Sequence, residues 1–124
     1  MNRPGVTLDN VVAGCALQVL TGPADMSRRI DTVFASDLMS DVLAFSTPGA
    51  LLVTGLTNVQ TVVTADIADV SGVVFTRGKR PDAECVERAA AAGIPLLSTR
   101  LDTFTLCGEL YRLGLRGARP QDGE

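Results

Sequence analysis

The residues best suited to chemistry sit just after four apolar, β-like runs. Val33-Phe34-Ala35 leads into Ser36-Asp37, and Leu51-Leu52-Val53 leads into Thr54-Gly55-Leu56-Thr57-Asn58. Val73-Val74-Phe75 leads into Thr76-Arg77-Gly78-Lys79, and Leu96-Leu97 into Ser98-Thr99-Arg100. Hydroxyls, an amide, a carboxylate and guanidinium groups are the usual means of holding a polar or anionic ligand. In a parallel α/β sheet they gather along the carboxyl edge of the strands, where ligands bind. The candidate ligand-contacting residues are therefore Ser36, Asp37, Thr54, Gly55, Thr57, Asn58, Arg77, Gly78, Lys79, Thr99 and Arg100.

Each loop has a plainer reading beside the functional one. Arg77, Lys79 and Arg80 surround Gly78 just before a helix opens at Pro81 or Asp82, so basic side chains and free helix N–H groups can make an anion site. They also suit a solvated turn in which Gly78 supplies a positive φ, with Asp82 and Glu84 already serving the helix end. Gly55 permits close backbone approach, while Thr57 and Asn58 can bind a ligand or cap the next helix, capping being the favoured role for Asn58. Asp37 and Asp41 are four residues apart and share a face if helical. Such a pair can bind Mg²⁺ or divide acid and base roles. No nucleophile or third ligand accompanies them, so capping and helix-end charge explain them better. Arg100 can clamp a phosphate bidentately, or pair with Asp102, Asp37 or a partner subunit.

Composition narrows the chemistry further. The chain has 124 residues, 46% of them hydrophobic, with no Trp and a net charge of −3. This is one domain with enough chain for a real core. No basic stripe or stacking platform points to nucleic acid, and no apolar run approaches the ~20 residues of a membrane span. No secretory signal pattern opens the chain, which makes the cytoplasm the expected compartment. There is no His, which removes the commonest general base and most zinc sites. The three cysteines, Cys15, Cys85 and Cys107, form no Cys-x-x-Cys pair and read as reduced, buried thiols. No catalytic residue, metal site or cofactor is expected.

The elements that must position these residues alternate. Thr7 or Asp9 caps a leading helix that Thr21-Gly22-Pro23 ends. Strands are expected over 28–35, 50–53, 73–76 and 94–98. Helices are expected over 37–45, 58–68, 81–92 and 101–113. Val59, Val62, Val63 and Ile67 form the inner face of the second of these, and Phe104, Leu106, Cys107, Leu110 and Tyr111 are available for packing in the last. The pattern predicts an α/β domain over 1–114 with a mainly parallel sheet of about four strands and flanking helices. The polar residues 115–124 are expected to fray.

Two segments carry a family resemblance. Val74-Phe-Thr-Arg-Gly-Lys-Arg-Pro-Asp-Ala-Glu, followed by Ala92-Gly-Ile-Pro-Leu-Leu-Ser-Thr-Arg-Leu-Asp-Thr-Phe, resembles the DRTGG-domain family and is similar to the amino-terminal, non-kinase domain of HPr kinase/phosphorylase. Ala35-Ser-Asp-Leu-Met-Ser-Asp-Val-Leu-Ala resembles a segment of stand-alone DRTGG proteins. The family's naming pentapeptide is not present as such. The resemblance implies a fold related to the amino-terminal domains of Mur ligases, and a regulatory or dimerising module found in some pyrophosphatases beside adenylate-sensing CBS domains. Stand-alone copies are often encoded near hydrogenase components. The sequence has no Gly-x-x-x-x-Gly-Lys-Ser/Thr, so no P-loop and no HPr-kinase activity are carried over.

Three functions follow as expectations. The first is a non-catalytic regulatory domain that forms a homodimer and binds a small anionic ligand such as an adenylate. The second is an accessory subunit of a redox complex of hydrogenase type, with a protein partner and no ligand of its own. The third is a small enzyme acting on a phosphorylated substrate through Asp37 or Asp41 with Arg77 and Arg100.

Overall fold

The computed structural model describes residues 5–22 and 25–118. Its centre is a five-stranded sheet ordered β2-β7-β6-β5-β4, comprising β2 (Gln18–Val19), β4 (Thr32–Ala35), β5 (Ala50–Thr54), β6 (Gly72–Phe75) and β7 (Leu96–Ser98). Strands β4 to β7 run parallel in chain order, and β2 joins the far edge antiparallel, with Val19 opposite Leu97. A separate two-residue ladder pairs β1 (Val6–Thr7) with β3 (Arg29–Ile30). The expected α/β class and mainly parallel sheet are present, with one more strand than the sequence suggested.

Five helices cover the sheet: α1 (Leu8–Cys15), α2 (Met39–Phe45), α3 (Val59–Ala68), α4 (Ala83–Ala92) and α5 (Thr103–Arg112). Alternate residues of a strand face opposite sides. In β5, Leu51 and Val53 pack with α1 and α5, while Leu52 packs with α2, α3 and α4. Every residue of β5 and β6 is buried, as a parallel sheet covered on both faces requires. Between the layers, each buried side-chain nitrogen or oxygen among the described residues has a hydrogen-bond partner.

The capping residues form as local chemistry dictates. Thr7 builds a capping box with Asn10. Asn58, Asp82 and Asp102 accept from the backbone N–H groups of Thr61, Cys85 and Thr105. Gly93 ends α4 in the left-handed region at φ 75°.

The departures are local. The leading helix stops at Cys15 because Ala16 turns left-handed (φ 55°), which frees Gln18 and Val19 to pair with β7. The strand expected over 28–35 splits at Asp31, its first part serving β1 and its second β5. Asp37 precedes α2 instead of lying in it, so Asp37 and Asp41 share no helical face. Thr61 and Thr64 are buried on α3 while Ile67 is exposed, because the Thr61 hydroxyl donates to the Leu56 carbonyl at 2.7 Å. Phe104 and Tyr111 also stand outside the core. The first residues after Gly114 do not fray. Leu115 is buried, the Val33 N–H donates to the Arg116 carbonyl at 2.9 Å, and Gly117 bridges to Val33 along the free edge of β4. The remainder of that segment, 119–124, lies outside the described residues.

Candidate functional site

The carboxyl ends of β4, β5, β6 and β7 present the expected loops on one edge. The structure divides them into a closed corner around Gly55 and an open cleft around Gly78.

At the corner, the Asp37 carboxylate accepts from the Gly55 N–H at 2.8 Å and from the Thr54 hydroxyl at 3.0 Å. The same Thr54 oxygen accepts from the Leu56 N–H. Lys79 reaches across from the next loop and donates to the Gly55 carbonyl at 3.3 Å. A Cβ built on Gly55 would lie 3.6–3.7 Å from the Lys79 ammonium, the Asp37 carboxylate and the Thr76 hydroxyl, so three polar groups converge on this one residue. The Gly55 N–H is the main cause holding the Asp37 carboxyl below its usual range; Thr54, Lys79 and Arg77 add to it, against partial desolvation. Asp37 is thus a resident anion that occupies the donors a ligand would use.

The remaining residues of this part serve the backbone. The Ser36 hydroxyl accepts from the Leu38 N–H at 3.0 Å. Asn58 caps α3, and Thr57 is half-buried in the loop before it. Asp41, on α2, joins none of these contacts.

The loop from Thr76 to Arg80 separates corner from cleft. Arg77 and Gly78 are both left-handed, at φ 62° and 71°. Their N–H groups donate to the carbonyls of Leu101 at 2.8 Å and Thr99 at 2.7 Å, which holds an uncommon conformation for an arginine. Thr76 meets Thr103 hydroxyl to hydroxyl at 3.3 Å. These three bonds tie the β6 and β7 loops together. Arg77 stands in the field of both Asp37 and Asp102. The Asp102 carboxyl is held low first by the Thr105 N–H and hydroxyl, then by Arg77.

On the other side of Gly78 lies a cleft of about 360 Å³ lined by Ala16, Gln18, Gly78, Arg80, Ser98, Thr99 and Arg100. Arg80 donates to the Gln18 side chain at 3.0 Å, and the Thr99 hydroxyl accepts from the Leu101 N–H. The described ion pairs within 4 Å are Arg29–Asp31 and Arg112–Glu109, so Arg100 forms none with Asp102 or Asp37. Two guanidinium groups share a cleft whose lining holds no carboxylate. Sequence reasoning recognised the charge of Arg80 but could not place it in one cleft with Arg100. It gave no sign of Gln18, which lies where the helix was expected to continue.

The edge therefore offers anion-binding groups and a positioned carboxylate. Among the described residues no three His, Cys, Asp or Glu side chains are grouped to hold a metal, and no helix is long and apolar enough to cross a membrane. Burial pushes all three cysteine thiols up.

An α/β domain with a mainly parallel sheet and polar strand-end loops is the class this architecture defines. The DRTGG-domain profile matches residues 10–113, and the chain belongs to that family. No curated protein matches it. Among solved structures it is similar to the CBS and DRTGG domains of the regulatory region of Clostridium perfringens pyrophosphatase, complexed with the activator diadenosine tetraphosphate. The TM-score is 0.70 at 19% sequence identity, over 84% of this chain and 45% of that one. The chain thus spans less than half of the structure it resembles, and the likeness is one of fold.

Proposed function

We propose that this chain is a non-catalytic regulatory domain that binds a small anionic ligand, in the first place an adenine nucleotide, between Arg80 and Arg100. One observation carries the reading: the two arginines face one cleft with no carboxylate in its lining. A planar guanidinium fork suits a phosphate, and no carboxylate in the lining competes for either arginine. The hydroxyls of Ser98 and Thr99 and the backbone at Gly78 supply neutral partners. Adenine nucleotides come first because a regulatory region that contains this fold beside CBS domains is crystallised with a diadenosine tetraphosphate activator.

The enzyme reading has less to support it. Of its two acid–base candidates, Asp37 is committed to Gly55 and Thr54, and its depressed pKa makes it a poorer base, while Asp41 lies on α2 and, among the described residues, forms no ion pair with Arg77 or Arg100.

A thermal-shift screen of AMP, ADP, ATP, diadenosine tetraphosphate and inorganic phosphate tests the proposal. A nucleotide at a hundred times its dissociation constant adds about 2.7 kcal/mol of stability, which raises Tm measurably. R80A and R100A should each abolish the rise. A flat screen with every nucleotide contradicts the proposal.

The α2–α3 face supports a second reading, an accessory subunit that docks a protein. Leu38, Leu43, Phe45 and Ile67 are exposed there. No Lys or Arg occurs between Ile30 and Thr76, a stretch that contains Asp37, Asp41, Asp66 and Asp69. An acidic surface with apolar side chains fits a basic partner. A redox complex of hydrogenase type remains the partner class implied by the family resemblance.

A further inference from the structure

The side chains that line the cleft beside Gly78 are rich in hydrogen-bond donors and poor in open acceptors. An arginine can only donate, so Arg80, 3.0 Å from the Gln18 side chain, takes the amide oxygen and leaves the amide NH₂. The Thr99 hydroxyl accepts from the Leu101 N–H at 3.1 Å, which leaves its own hydrogen to donate. The guanidinium groups of Arg80 and Arg100 and the Ser98 hydroxyl complete the polar side chains of the lining. The carboxylates nearest these arginines in sequence serve as helix caps. Asp82 accepts from the Cys85 N–H at the start of α4, and Asp102 from the Thr105 N–H at the start of α5.

We infer that this cleft reads the phosphate chain of its ligand and not the base, because Arg80 withholds the Gln18 oxygen from the ligand. The inference rests on the anion site proposed above and names the part of the ligand that the site recognises. A phosphate chain is a row of acceptors and matches a row of donors. An adenine edge offers an amino donor beside a ring acceptor, and a glutamine pairs with it by using its oxygen and its NH₂ together. Here the oxygen belongs to Arg80.

The lining also lacks a face for a base. Bases lie against aromatic or large apolar side chains. Ala16 is the single apolar side chain of the cleft, and no aromatic one lines it. The net charge of −3 gives the chain no general attraction for a polyanion, so these local donors have to supply it.

Calorimetric titration of the full chain with ATP, GTP, inorganic tripolyphosphate, AMP and adenosine tests the inference. ATP, GTP and tripolyphosphate should bind within about tenfold of one another, with tripolyphosphate displacing ATP. AMP should bind more weakly than these, and adenosine should give no binding heat. Gln18 is exposed, so Q18E should leave the far-ultraviolet circular dichroism unchanged. It sets a carboxylate beside Arg80 and should weaken ATP and tripolyphosphate alike, by about tenfold or more. Three results overturn the inference and leave the site standing, provided that R100A removes ATP binding: adenosine competes with ATP, GTP binds more than about tenfold weaker than ATP, or Q18E binds ATP as wild type does. ATP binding that survives in both R80A and R100A, or no binding of any of these compounds, overturns the site and the inference with it.

Discussion

Asp37 shows how one side chain can look like a site and act as a fastener. Its carboxylate fills the Gly55 N–H and the Thr54 hydroxyl, and so ties the β4–α2 turn to the end of β5. Asp37→Asn should lower stability by about 1–2 kcal/mol, the range for a charged hydrogen bond at an exposed position. The sign of its pH dependence follows from the depressed native pKa. The stabilisation is complete above the unfolded carboxyl range near ~3.9 and is lost as pH falls through the native value. Urea unfolding from neutral to about pH 3 should show a shallower acid-side loss in the variant than in wild type. Identical slopes would count against Asp37 as the fastener. The sequence showed a carboxylate and a glycine-containing loop on one sheet edge. It could not show that each satisfies the other, because the contact spans strands β4 and β5 and depends on their parallel register.

At the scale of elements, local signals were legible and long-range ones were not. Asn58 was readable as a cap because its bond to the Thr61 N–H lies within three residues. Asn58→Ala should therefore destabilise the fold by about 1 kcal/mol, and Asn58→Asp should restore most of the loss. Chemical denaturation of the three proteins checks this, and an unchanged midpoint in Asn58→Ala would remove the cap from the account. Strand β2 escaped notice because no glycine or proline marks the helix end at Ala16, and its pairing with β7 brings together residues about 80 apart. The inner face of α3 was misread for a related reason. Apolar spacing nominated Ile67, but the hydrogen bond from Thr61 to Leu56 rotates a threonine inward. The same limit applies to α5, where Phe104 and Tyr111 have core-like character and surface positions.

Over the whole molecule, charge is segregated. The middle of the chain from Asp31 to Thr76 has acidic residues alone, while the loops after β6 and β7 bring Arg77, Lys79, Arg80 and Arg100 to one edge. The α/β class, the parallel strands and the edge on which these loops lie follow from the strand–helix rhythm of the sequence. The division of that edge does not, since it depends on β6 and β7 being neighbours and on the Arg77–Leu101 and Gly78–Thr99 bonds. The protein's own groups meet at the Gly55 corner, and the cleft at Gly78 is the one proposed for an anion. Amide chemical-shift mapping during a titration with ATP tests this division most directly. The account predicts saturable shifts centred on Gln18, Gly78, Arg80, Thr99 and Arg100, weakened by added salt and absent in R100A. Shifts centred on Gly55 and Asn58, or none with any adenine nucleotide, would contradict it.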